Sequence, residues 1–172
     1  MSDPLAYALD ANVFIEAKRR YYAFDLCPGF WDSLIWHRAA GRVWSIDRVK
    51  EELERGKDDL AKWVRREMPE GCFASTDDEE VIEWYGKMIA WVQGEPQFAP
   101  EAKAEFAQKA DAWLIAYAKA KGLVLVTHEV PAKDAKRKVP IPNVCQEFNV
   151  KFIDSFEMLR ALKTKFTWRA AP

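Results

Sequence analysis

Four stretches of the chain place carboxylates where they could act together: Asp10, the Glu51-Glu52 pair, Asp111 and Glu129. Carboxylates brought close repel one another and hold their protons more tightly than usual. A hard divalent cation relieves that repulsion, and Mg²⁺ or Mn²⁺ prefers carboxylate oxygen. Such an ion can activate a water and stabilise the charge that builds on a phosphodiester under attack. Other chemistries lack their parts. There is no Gly-rich phosphate loop, and the only histidines, His37 and His128, have no Ser-His-Asp or Cys-His context. Cys27, Cys72 and Cys145 are scattered and out of metal-ligand spacing, which fits a reducing cytoplasm better than a disulfide frame.

The elements around these acids decide whether they can meet. Asp10 closes the apolar run Tyr7-Ala8-Leu9 and opens a helix, with Asn12 one step further on. Ligands of an open parallel sheet sit beyond the carboxyl ends of its strands, where Asp10 would stand. The same residue could simply cap the next helix. Arg42–Ser45 reads as a second strand, followed by an amphipathic helix Ile46–Arg55 with Ile46, Val49 and Leu53 inward. On that wheel Glu52 lies about 90° from the buried direction, at the border of the core, and Glu51 about 170° away, toward solvent.

Glu101–Lys121 is Ala-rich and periodic, and reads as one long helix with Asp111 inside its apolar arc. A start-of-helix role is then excluded for Asp111. What is left is an ion pair or a functional carboxylate, and the second is preferred because a buried acid needs a cation that a metal would supply. Leu123–Thr127 is apolar and β-branched, as a central parallel strand should be, and ends in Thr127-His128-Glu129. The loop beyond carries Lys133, Lys136, Arg137 and Lys138, a solvated run that beside an acidic metal site could hold substrate phosphates. Asn12, Thr127, Lys133, Lys136 and Arg137 are therefore candidate substrate contacts. Cys72–Ser75 and Val150–Ile153 read as the remaining strands, and Thr76-Asp77-Asp78-Glu79 as a capping box without chemistry. Arg19-Arg20-Tyr21-Tyr22 could hold an RNA backbone and stack a base, but a solvated helix end with tyrosine packed beneath it is the preferred reading.

At 172 residues, 49% apolar and 13% aromatic, the chain is long and hydrophobic enough for one domain with a real core, expected over about 5–163, with 164–172 as a mobile tail. A net charge of −1 gives no global field for nucleic acid, so any such binding needs a local patch. No charged-then-apolar leader and no run of membrane length is seen, which predicts a cytoplasmic protein with no membrane partner. Alternation of strands and helices predicts a three-layer α/β domain with a parallel sheet.

Four motifs, in order, resemble the PIN domain: Leu9-Asp10-Ala11-Asn12-Val13-Phe14-Ile15, Val49-Lys50-Glu51-Glu52-Leu53, Asp111-Ala112-Trp113-Leu114-Ile115-Ala116 and Val126-Thr127-His128-Glu129. The resemblance runs from Tyr7 to about Leu162, and the Arg-Arg-Tyr-Tyr…Pro-Gly-Phe-Trp insertion resembles an uncharacterised prokaryotic PIN-like subfamily. It implies a five-stranded sheet of order 3-2-1-4-5 with helices on both faces, and Mg²⁺- or Mn²⁺-dependent hydrolysis of RNA. It implies a toxin of a VapC-like toxin–antitoxin pair, with RNA as substrate and a protein antitoxin as partner, and a homodimer is compatible with it. Carried over, Asp10, Glu52, Asp111 and Glu129 are the catalytic and metal-ligating acids. Glu129 departs from the usual Asp or Asn and reaches one methylene further. A PIN-like module that binds RNA or a protein without turnover is the alternative, and a DNA structure-specific nuclease a weaker one.

Overall fold

The computed structural model describes residues 5–170. Five short strands carry the sheet: β1 (Tyr7–Leu9), β2 (Val43–Ile46), β3 (Phe73–Ala74), β4 (Val124–Val126) and β5 (Phe152–Ile153). All are parallel, in the order β3-β2-β1-β4-β5, with Tyr7 opposite Val43 on one side and Val124 on the other. β1 and β4 are central and buried along their whole length, which is why their sequences are unbroken apolar runs rather than alternating ones.

Nine helices among the described residues surround the sheet and complete three layers: α1 (Ala11–Glu16), α2 (Pro28–Ala39), α3 (Asp47–Arg55), α4 (Asp59–Arg66), α5 (Glu79–Gly94), α6 (Pro100–Gln108), α7 (Ala110–Lys121), α8 (Ile141–Glu147) and α9 (Ser155–Ala161). One continuous core joins them, with Phe14, Phe30, Trp31, Leu34, Ile115 and Leu125 almost wholly excluded from water. Gly122 stops α7 at φ 65°, a left-handed turn that glycine adopts without a Cβ clash. No helix of the described residues is long and apolar enough to cross a membrane.

The structure departs from the sequence reading in three places that matter. The long helix expected over Glu101–Lys121 is two helices, broken where Lys109 turns extended (φ −82°, ψ 164°). Asp111 therefore stands in the first turn of α7, and the start-of-helix role excluded above is its actual position. The cap of α5 is Asp78, whose Oδ1 accepts from the backbone N–H of Glu80 and Val81. Thr76 instead donates its N–H and hydroxyl to Asp47 in the first turn of α3. Finally, α1 does not stop at Glu16 but widens into a π-helical turn over Ala17–Tyr21, closed by Tyr22 N–H to Ala17 O at 2.7 Å.

The aromatic insertion after this turn is mostly packing. Tyr22 stacks on Phe30 with ring centroids 4.4 Å apart, Phe24 stacks on Trp31 at 4.2 Å, and Trp31 Nε1 donates to Tyr22 O. The stretch expected as a mobile tail is tied to the body: Thr164 Oγ1 lies 2.8 Å from His37 Nε2, the Thr164 N–H donates to Leu159 O, and Phe166 packs on Tyr22 and Phe30. Ala171 and Pro172 of that stretch lie outside the described residues.

Candidate active site

The carboxyl ends of β1 and β4 lie side by side, because the two strands pair in register from Tyr7–Val124 to Leu9–Val126. Each strand is followed at once by a polar group: Asp10 after β1 and Thr127 after β4. Both are buried, at 2% exposure. The Thr127 hydroxyl donates to Asp10 Oδ2 at 3.0 Å and accepts from the Glu129 N–H at 3.2 Å. Asp10 begins α1 but makes no side-chain cap there, so the capping role left open by the sequence is not the one it takes.

Burial pushes the Asp10 carboxyl up to about 7, with the charges of Asp111, Glu129 and Glu52 adding to the effect and the Thr127 hydrogen bond opposing it. Asp111 is half-buried and pushed up to about 6, first by desolvation and then by Glu129, while Lys138 and Lys109 pull it down. Asp10 and Asp111 thus both lie within electrostatic reach of Glu52 and Glu129. Of the Glu51-Glu52 pair, Glu52 is the one felt by both aspartates. Both glutamates are exposed, so Glu52 does not sit at the border of the core as its helical phase predicts. Helix α3 begins at Asp47, with Ile46 still in β2, and the wheel drawn from Ile46 does not hold at its first residue.

Glu129 is engaged on both oxygens: Lys138 Nζ donates to Oε1, and the Ile141 N–H at the start of α8 donates to Oε2 at 2.9 Å. The sequence reading did not single out Lys138 as a substrate contact, yet it is the cation of its loop that reaches the acids. Lys133 instead lines a separate cleft with Trp91 and Gln97, and the side chains of Lys136 and Arg137 are exposed, without an ion pair to the four acids. Two more cations flank the site from other elements. Lys109, from the break between α6 and α7, and Arg48, whose guanidinium lies 4.1 Å from the Trp113 ring, line a cleft of about 260 Å³ beside Glu52. Asn12 lines another cleft on the far side, with Glu129 and Lys138.

The donor set is all carboxylate and hydroxyl oxygen, which suits a hard divalent ion. Asp10 and Asp111 are the residues such an ion would relieve most, since both are held protonated far above the ordinary range. Among the described residues no three His, Cys, Asp or Glu side chains are drawn together at metal-ligating spacing.

The buried Ser155 hydroxyl lies 3.1 Å from His128 Nε2, but with Ser155 2% exposed the pair fixes the imidazole rather than offering a nucleophile. Comparison with curated proteins finds no match to the chain. Residues 7–166, nearly the whole chain and every residue of the acidic cluster, match one family, and the protein belongs to it: the family described as Domain of unknown function (DUF4411).

Proposed function

We propose that the protein is an Mg²⁺- or Mn²⁺-dependent endoribonuclease that hydrolyses RNA phosphodiester bonds, built on a PIN-like fold. One observation carries the reading. A carboxylate 2% exposed to water stands at the end of a central parallel strand, next to a second raised carboxylate, with a neutral hydroxyl as its hydrogen-bond donor. A group so placed costs stability unless it serves a bound cation or a proton transfer. Asp10 and Asp111 would hold the ion, with Glu52 and Glu129 as further carboxylates whose charge both aspartates feel. A bound divalent ion would supply charge neutralisation and a water acidic enough to attack phosphorus.

The chain's own residues account for the rest. Hydrolysis forms one P–O bond from water and breaks another, so a proton must leave the water and one must reach the departing oxygen. The exposed Glu52 carboxylate can take the first, and solvent water at this open edge supplies the second to the departing oxygen. Thr127 keeps Asp10 oriented, and Arg48 and Lys109 offer positive charge to the strand in the cleft beside Glu52.

The order of the motifs supports the family resemblance, and with it the further proposal that the enzyme is a toxin restrained by a protein antitoxin. Most early aromatics pack inward, but Leu26 and Trp36 stay exposed at 82% and 61%, as apolar surface for a partner. A second reading, a module that binds RNA without turnover, is favoured by one feature: Glu129 is tied up by Lys138 and Ile141.

The deciding experiment incubates the purified chain with end-labelled single-stranded RNA in Mn²⁺ or in EDTA, beside Asp10→Asn. Cleavage by wild type in Mn²⁺ alone supports the enzyme. Binding without cleavage in any divalent ion supports the second reading, and equal cleavage in EDTA overturns the metal mechanism.

A further inference from the structure

Beside the acids lies a cleft of about 430 Å³, lined by Asn12, Glu16, Arg20, Tyr21, His128 and Glu129, with Lys138 at its rim. It shares Glu129 with the acidic cluster, and Lys138 pairs with that residue, so the cleft adjoins the site where a phosphodiester would reach Asp10.

Tyr21 is the unusual member. It is 50% exposed, and among the described residues no hydrogen bond engages its hydroxyl. Its ring is nevertheless held in place: Phe156 meets it edge-on at 5.3 Å and 82°, and His128 lies 6.2 Å away. His128 is itself fixed by Ser155. The backbone is bent to bring Tyr21 here. On a regular helix of 3.6 residues per turn, Tyr21 would point about 180° away from Asn12. The π-helical turn over Ala17–Tyr21 widens the helix and returns Tyr21 to the face that carries Asn12, Glu16 and Arg20. Such turns are rare and concentrate at functional sites.

The charges of the cleft select the occupant. Arg20 is paired with Glu16 at 3.0 Å and Lys138 with Glu129, so neither is left to hold a phosphate alone. A flat, uncharged ring with polar edges fits better than an anion. Resting on the ribonuclease reading above, we infer that this cleft is a base-stacking subsite, in which a nucleobase of single-stranded RNA next to the scissile phosphate lies on the Tyr21 ring. The subsite makes the enzyme prefer unpaired RNA, because a base inside a duplex cannot be splayed onto the ring.

The test measures binding apart from turnover. Fluorescence anisotropy in EDTA of a labelled eight-nucleotide RNA with full-length Asp10→Asn gives the reference affinity. Adding Tyr21→Ala should weaken binding by roughly 5- to 150-fold, the range for losing one base–aromatic stack, while Tyr21→Phe should stay within about threefold. Replacing one base of the oligomer with an abasic residue should abolish the difference in affinity between the parent and the Tyr21→Ala protein, and should do so at one position only. Emission of 2-aminopurine placed at that position should fall on saturation with protein whose Tyr21 is intact, a readout that needs no variant to fold. Equal affinities for the Tyr21→Ala and parent proteins at unchanged Tm, or no change in emission at any position, would overturn the subsite. Mn²⁺-dependent cleavage by the wild-type preparation reads the catalytic proposal separately, so cleavage with no stacking signal sinks only this inference, and stacking with no cleavage sinks only the catalytic one.

Discussion

The Thr127 hydroxyl donates to Asp10 Oδ2 at 3.0 Å, across 117 residues of sequence, and so ties the carboxyl end of β4 to that of β1. The bond favours the ionised form of Asp10 against burial and three neighbouring acids. Thr127→Val keeps the shape and removes the donor. The Asp10 carboxyl should then rise further above 7, and the acid limb of the rate–pH profile in Mn²⁺ should move to higher pH. An unchanged limb would show that Thr127 does not set the ionisation of Asp10.

Metal-free stability should carry the mark of Asp10. Its carboxyl rises from an ordinary value of 3.8 to about 7 on folding, so the folded state holds the proton more tightly than the unfolded one. The stability this gives is fully present below about pH 4 and is lost as the pH climbs through about 7. Asp10→Asn has no such loss. In EDTA it should melt higher than wild type at pH 8, by at least about 3 °C for a gain of roughly 1 kcal/mol or more, and the two should converge near pH 4. Asp111→Asn should behave alike with a smaller gain, since Asp111 rises only to about 6 and is half-buried. Both variants should lose cleavage. A variant that melts lower than wild type at pH 8 would mean that the carboxylate holds the fold rather than a cation.

The sheet was legible because β1 and β4 are buried on both sides and so carry no charged residue, and Asp10 and Thr127 stand out directly after them. The place of Asp111 was not legible. Gln108-Lys109-Ala110 are good helix formers, and the extended backbone at Lys109 needs neither Gly nor Pro to form, so the break leaves no compositional trace. The signal present was Asp111 itself, a poor residue for mid-helix and a good one for a first turn, where it complements the helix dipole. Tyr21 was singled out with Tyr22, but widening of a helix by one residue has no periodicity to read, so the exposed ring could not be told from the packed one. Lys138 was one cation in a run of them until the fold set it against Glu129.

Glu129 should act as a secondary ligand. Both of its oxygens are already engaged, and its carboxylate closes the start of α8 through Ile141 N–H. Glu129→Gln should raise the Mn²⁺ concentration needed for half-maximal rate more than it lowers the rate at saturation. It should also cost about 1 kcal/mol of stability, as loss of a charged acceptor at a helix start does. Complete loss of rate at saturating Mn²⁺, with the fold intact, would make Glu129 a direct ligand instead.

Glu52, and not Glu51, should be the catalytic glutamate. The two are adjacent on α3 and both are exposed, so burial does not separate them. Direction does. The charge of Glu52 is among the main causes that raise both Asp10 and Asp111, and that of Glu51 is not. Val49 and Leu53 are the buried residues of α3, and on a regular helix Glu52 lies about 80° from their mean direction. Glu51 lies about 100° further around the helix, although both glutamates line the cleft that reaches Lys109 and Ala110. Exposure helps Glu52 in this role, because a carboxylate in contact with water can exchange a proton with it between turnovers. Glu52→Gln should cut cleavage by about 10²- to 10⁴-fold, the range for a positioned acid–base group, and Glu51→Gln should stay within a few-fold of wild type. Neither change should move the Tm by more than about 2 °C, since neither side chain is packed in the core. The opposite ranking in a side-by-side assay would place Glu51 at the acids and require α3 to be rotated about its axis.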